Sequence, residues 1–297
     1  MSVSPVIDRS TASFRLADLS EITKPGITLM VVLTAGLGFL LARGESFSFL
    51  LLVYTLLGTG LVSAGASVLN HVLEREPDAL MHRTMNRPLP AGRMDPDAAL
   101  LFGVTLGLAG LVELALVVNL LTALLGAAAL AGYVFVYTPL KRVTSLATVV
   151  GAVPGAIPPM MGWSAVRDHL DPAAWVLFAI LFFWQMPHFL AIAWLCREDY
   201  ARGGFPMLTV NDPDGSRTAR QMLLYGAALV PVSLLPTVLH LMGGVYFVGA
   251  LVLGLAYLAF GFGFARSRST SGARWLMLAS ILYLPAVLLI MLLDRIL

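Results

Sequence analysis

The run Asn70-His71-Val72-Leu73-Glu74-Arg75-Glu76-Pro77-Asp78 places three oxygen-bearing side chains, Asn70, Glu74 and Asp78, at intervals of four residues. On a helix that spacing puts them on one face, about 6 Å apart. A hard divalent cation prefers oxygen ligands, and Mg2+ takes one or two carboxylates and leaves positions for phosphate. Pro77 is placed to distort the last turn, so Asp78 need not lie on the ideal line. Met81-His82-Arg83-Thr84-Met85-Asn86-Arg87-Pro88-Leu89-Pro90 follows directly. Arg83 and Arg87 offer planar donor forks for a phosphate. Solvation at a helix end explains any one of these polar residues. It does not explain a regular ladder of oxygens followed by a basic Pro-Leu-Pro segment.

A second polar stretch reads Cys196-Arg197-Glu198-Asp199-Tyr200-Ala201-Arg202-Gly203-Gly204-Phe205-Pro206-Met207-Leu208. Glu198 and Asp199 are its acids, and Arg197 adds another base. Cys196 ends an apolar run, where a small residue at an interface needs no nucleophilic role.

What must position these stretches is a membrane bundle. The 297 residues are 58% hydrophobic and only 12% charged, with a mean hydropathy of +0.85. A soluble domain carries roughly 25% charged residues; so few cannot solvate a compact surface, and a bilayer does not require them. The net charge of +2 is too small to argue for nucleic acid, and a single cysteine excludes an internal disulfide. Residues 1–25, with Asp8, Arg9, Arg15, Asp18, Glu21 and Lys24, read as a short cytosolic tail rather than a signal peptide.

A bilayer-spanning helix needs about 20 apolar residues, because its backbone must satisfy itself. Spans are predicted at 26–43, 47–70, 97–117, 120–139, 145–165, 173–195, 218–240, 244–265 and 273–293. Residues 26–295 then form a single all-α transmembrane domain of about nine helices. Gly44, Asp95-Pro96, Asn119, Asp171-Pro172, Gly243-Gly244 and Gly272 punctuate the runs. Pro154, Pro158 and Pro159 predict a bent or broken fifth span. Of the 19 Lys and Arg residues, all but Arg43, Arg167 and Arg295 fall on the face that holds both polar stretches. By the positive-inside rule, the N-terminus is expected in the cytoplasm and the C-terminus outside a bacterial inner membrane.

The pattern Asn70-x3-Glu74-x3-Asp78, followed by Arg83-Thr84-x-Asn86-Arg87-Pro88-Leu89-Pro90, resembles the first motif of the UbiA superfamily of intramembrane prenyltransferases. This chain has Glu74 where Asp is common and His71 where a second Asp often stands. In the second stretch, the positions where quinone-type members carry Asp-x3-Asp are Cys196 and Tyr200 here, leaving Glu198 and Asp199 as the available acids. Arg197-Glu198-Asp199-Tyr200, Tyr137-Thr138-Pro139-Leu140-Lys141-Arg142 and Trp184-Gln185-Met186-Pro187-His188-Phe189 resemble the branch whose members farnesylate protohaem IX.

The resemblance implies farnesyl pyrophosphate and protohaem IX as substrates, haem O as product and Mg2+ as cofactor. Asn70, Glu74, Asp78, Glu198 and Asp199 are the implied metal ligands, with Asn70, Glu74, Asp78 and Asp199 catalytic. Arg83, Arg87, Lys141, Arg142 and Arg197 are available to the pyrophosphate. Tyr137, Phe183 or Trp184 could stabilise an allylic cation, and the farnesyl tail would lie between helices open to lipid. Haem A synthase or a terminal oxidase would take the product. His188 lies within an apolar span, where an ionisable side chain is a functional candidate. It could hold or orient haem iron, or simply bond to a neighbouring helix. His71 and His82 could touch pyrophosphate or a haem propionate; His169 and His240 fall on the other side and are incidental. Glu113, near the outer end of span three, is expected to reach the interface.

Other readings remain. A relative acting on an aromatic or quinone precursor would carry much the same motifs. A transporter also has broken helices, but its polar residues would gather near the midplane. A scaffold for oxidase assembly leaves the ladder unexplained.

Overall fold

The computed structural model of the chain describes residues 15–42 and 47–295. Asp8, Arg9, Arg43 and Gly44 lie outside them. Among the described residues there is no strand, and nine helices are long and apolar enough to cross a membrane. They are Pro25–Ala42, Phe49–Leu80, Pro96–Val118, Leu120–Leu140, Ala147–Arg167, Pro172–Leu195, Ser216–Val238, Gly244–Ser267 and Thr270–Asp294. The chain is an all-α, multi-pass membrane protein. Many large apolar side chains stay outward, among them Leu101, Leu116, Phe135 and Leu282, as expected where lipid replaces water.

The predicted break in the fifth span is real. Helices Ala147–Ala156 and Pro158–Arg167 meet at Ile157, where consecutive prolines withdraw backbone donors. The second half packs on the first span with almost no side-chain spacer. A Cβ at Gly162 would overlap the Ala35 carbonyl, and one at Gly38 would overlap the Pro159 carbonyl. Where burial of apolar surface supplies no drive between helices, such close backbone packing does.

The two described exceptions to the charge asymmetry also have structural work. Arg167 Nε donates to Ala42 O at 2.8 Å, and Arg295 donates to Leu40 O at 3.0 Å. Together they satisfy carbonyls that the end of the first span would otherwise leave open.

Two features depart from expectation. Glu113 does not reach the interface: both of its carboxylate oxygens are buried without a partner, packed at Gly58 of the second span. A helical stretch of π type follows at Leu114–Val118, and the backbone turn aims the side chain inward against a residue with no Cβ. The second half of the N-terminal tail also has structure. Leu16–Thr23 is a helix whose Ile22 packs with Val68, Leu89, Met94 and Ala99. Its Asp18 and Glu21 bind Arg93 at 2.9 and 3.1 Å.

Gly162→Val should therefore part the first and fifth spans. Overpacking costs roughly 1–3 kcal/mol, and the expected result is a thermal midpoint in detergent several degrees below wild type; an unchanged midpoint would refute the contact.

Candidate active site

The second span runs as a helix to Leu73, bends at Glu74 and continues as Arg75–Leu80. The bend keeps the i to i+4 ladder: Glu74 N donates to Asn70 O at 2.9 Å and Asp78 N to Glu74 O at 2.8 Å. Pro77 falls in the first turn of the short helix, where its missing N–H costs nothing. Asn70, Glu74 and Asp78 are consequently kept in step, and all three are buried.

Each rung of the ladder faces a base from another part of the chain. Lys24 Nζ donates to Asn70 Oδ1 at 3.1 Å, while Asn70 Nδ2 donates to Thr138 Oγ1 at 3.2 Å. Lys141 Nζ lies 2.7 Å from Glu74 Oε1, and Arg87 NH1 lies 2.7 Å from Asp78 Oδ2. Thr84 Oγ1 caps the Asp78 carbonyl at 2.8 Å, which anchors the basic loop to the end of the ladder. Lys141 also sits 5.2 Å from the ring centroids of both Tyr137 and Phe205. Tyr137 closes a π-type stretch, Gly132–Tyr137, and lies beside Tyr133 with centroids 5.4 Å apart. Irregular turns of this kind recur at functional sites.

The two polar stretches meet. Met81 packs with Ala193, Tyr200, Phe205 and Met207 in one buried cluster. Asp199 Oδ1 accepts from His82 N at 2.9 Å and from Arg202 at 2.6 Å, and the Arg83 guanidinium lies 5.1 Å over the Tyr200 ring. The hydrogen bond from Arg202, reinforced by His82 N–H against the cost of burial, holds the Asp199 carboxyl below the usual range.

The remaining predicted residues are less central. Glu198 is exposed. Arg197 stacks 4.6 Å over Trp194, and Arg142 caps Leu73 O at 3.1 Å. His188 bonds to Ser280 of the ninth span, not to a backbone carbonyl. Burial pushes the Cys196 thiol up, consistent with a residue that attacks nothing.

Lys24 escaped the sequence reading. It precedes the first apolar run, and nothing local in Lys24-Pro25 signals contact with a residue 46 positions away. Its backbone is left-handed, with φ of 49°, which turns the side chain toward the ladder. Burial, then the charges of Arg87 and Lys141, pushes its ammonium down to about 7. An arriving anion would oppose that push.

Among the described residues no three His, Cys, Asp or Glu side chains are gathered closely enough to hold a metal by themselves. The donor set of the ladder nonetheless fits a hard cation. It is all oxygen, and Asp78 Oδ1 is buried with no hydrogen-bond partner, an acceptor left open where such ions bind. His71 beside it is buried with neither ring nitrogen satisfied.

Fold and site together define a membrane-spanning helical bundle with a buried cluster of paired charges at one end. A family model described as the UbiA prenyltransferase family matches residues 31–285, and the chain belongs to that family. It is 49% identical over 289 residues to the Protoheme IX farnesyltransferase of Solibacter usitatus, covering 94% of this chain and 99% of the relative. It is 43% identical over 299 residues to the enzyme of the same name from Koribacter versatilis, covering 97% and 96%. A digeranylgeranylglyceryl phosphate synthase structure superposes with a TM-score of 0.78 at 16% identity, over 95% of this chain and 98% of that one. A UbiA homolog from Archaeoglobus fulgidus bound to GPP and Mg2+ gives 0.70 at 16% identity, over 92% and 99%.

Lys141→Met should leave Glu74 as an unpaired buried charge and cost about 3–5 kcal/mol. Lys141→Met with Glu74→Leu should recover most of the thermal midpoint while remaining inactive. A double variant no more stable than the single one would contradict the pairing.

Proposed function

We propose that this chain transfers the farnesyl group of farnesyl pyrophosphate to a vinyl group of protohaem IX, giving haem O. The observation that carries the reading is the ladder of Asn70, Glu74 and Asp78, matched by Lys24, Lys141 and Arg87 at one mouth of an apolar bundle. The full-length similarity to Protoheme IX farnesyltransferases supports the choice of acceptor.

In this reading Asn70, Glu74 and Asp78 would hold Mg2+, with Asp199 and Glu198 as the available acids of the second stretch. Mg2+ would neutralise pyrophosphate oxygens and stabilise charge on the leaving group. Arg87 and Lys141 would exchange their carboxylate partners, and Lys24 the amide oxygen of Asn70, for pyrophosphate oxygens, and Arg83 adds a donor fork from the exposed rim. Arg142 and Arg197 are further donors at the same mouth. The site thus substitutes one set of charge contacts for another and does not leave buried charges bare.

Tyr137, with Lys141 above its ring, lines the way from the pyrophosphate to the bundle interior. Its face and that of Trp184 would stabilise the allylic cation formed as the C1–O bond breaks. The vinyl carbon then bonds to C1, and water adds to the resulting benzylic-type cation, releasing one proton. The farnesyl tail lies among apolar helices, and His188 addresses the haem. We place the basic face in the cytoplasm of a bacterial inner membrane, the C-terminus outside, and residues 26–295 in one transferase domain, with haem A synthase or a terminal oxidase receiving the product.

Membranes containing the chain, supplied with farnesyl pyrophosphate, Mg2+ and either protohaem or 4-hydroxybenzoate, should form haem O only. Formation of prenylated hydroxybenzoate would assign the acceptor differently. EDTA should stop the reaction and Mg2+ restore it, and Asn70→Ala or Asp78→Ala should abolish turnover in folded protein. Near-normal rates in both variants would remove the ladder from the chemistry.

A further inference from the structure

The imidazole of His188 is half-buried in the sixth span, roughly 10 Å short of the helix end near Leu195. Its Nδ1 lies 2.6 Å from Ser280 Oγ of the ninth span. Ser280 is fully buried, and its hydroxyl donates to Met277 O at 2.5 Å. A serine has one proton, and with it directed to Met277 O the Ser280 Oγ accepts from His188, which places the ring proton on Nδ1. A neutral ring protonated there carries its lone pair on Nε2.

That lone pair is left open. Nε2 makes no hydrogen bond to any described residue and is not among the buried orphan atoms. The ring cannot easily turn away, because Trp184 stacks on it with centroids 5.3 Å apart and planes at 15°. Trp184 is held in turn: its Nε1 donates to Ser280 O at 2.8 Å, and its carbonyl accepts from Tyr257 OH at 3.2 Å. One buried serine residue thus touches both the histidine and the ring stacked against it. A histidine serving only as packing has no need of such control over a nitrogen that bonds to nothing.

His188 is also linked to the charged cluster in three steps. Tyr137 lies against Gly151, and the next residue, Ala152, accepts from Gln185 Nε2 at 2.8 Å. Gln185 and His188, three residues apart, are neighbours on one helix surface.

We propose that Ser280 is a positioning residue that holds His188 as the Nδ1-protonated tautomer, so that Nε2 binds the iron of the acceptor porphyrin. This rests on the protohaem reading above. A donor hydrogen bond from the far nitrogen orients a ligating imidazole and raises its basicity. A bond to the iron would fix the centre of the macrocycle and hold its vinyl edge at a constant height in the bundle.

The test uses the full chain in detergent. With 15N-labelled histidine and no haem, His188 should give the Nδ1-protonated signature; a predominantly Nε2-protonated ring would overturn the proposal. On titration with haem B, wild type should show a histidine-ligated absorption and EPR spectrum. His188→Ala should lose that signature and regain it with added imidazole. Ser280→Ala should bind haem B roughly 10–100-fold more weakly and lower the iron–histidine stretching frequency in the ferrous form, and Ser280→Thr should restore both. Unchanged spectra and affinity in His188→Ala would overturn the ligand, and in Ser280→Ala the positioning role. If wild type makes haem O while these variants keep the native spectrum, only this inference fails; if wild type neither binds haem B nor makes haem O, the protohaem reading itself fails.

Discussion

Glu74 and Asp78 are carboxylates removed from water, and everything at the basic mouth follows from the need to compensate them. A lone buried carboxylate is prohibitively costly, yet a buried ion pair is often no more stabilising than apolar residues of the same size. Stability alone therefore gives little reason to keep Lys141 on Glu74 at 2.7 Å or Arg87 on Asp78 at the same distance. The proposed arrival of a pyrophosphate would give one: the bases pair the acids in its absence, and each pair could then open toward a phosphate.

The same pairs also tie the bundle together. Lys24 comes from before the first span, Lys141 from after the fourth, and Arg87 from the loop after the second. Each reaches the ladder on the second span, so the pocket and the packing of its walls are one arrangement. The second polar stretch is latched over it by Asp199 on His82 N–H and by the cluster of Met81, Tyr200 and Phe205. Away from this mouth the interior is largely apolar with scattered hydroxyl contacts such as Ser233 with Tyr283, and close glycine contacts such as Gly162 on Ala35 bring backbones together. The Ser280, His188 and Trp184 group is an exception within the apolar region. Its hydrogen bonds join the sixth and ninth spans, where a packed core without polar atoms would have sufficed.

Much of this was legible in the residue order. Apolar runs long enough to cross a bilayer can only be helices, because the backbone has no other partner there. That constraint determined the spans to within a few residues and the break at the prolines of the fifth. The i, i+4 spacing of Asn70, Glu74 and Asp78 determined that they share a face, since helical geometry is local. The asymmetry of Lys and Arg placed both polar stretches on one face, and the structure brings those stretches together.

Only the tertiary structure decided which base meets which oxygen of the ladder. Lys24 with Asn70 and Lys141 with Glu74 are contacts between distant segments, and no local pattern encodes them. The inward turn of Glu113 depends on the absence of a side chain at Gly58 and on the π-type stretch that begins beside it. The docking of Leu16–Thr23 depends on a cleft lined by residues as far off as Ala99. The contact of His188 Nδ1 with Ser280 Oγ joins residues 92 positions apart. In each case the deciding quantity is a distance across the bundle, which the periodicity of one helix cannot contain.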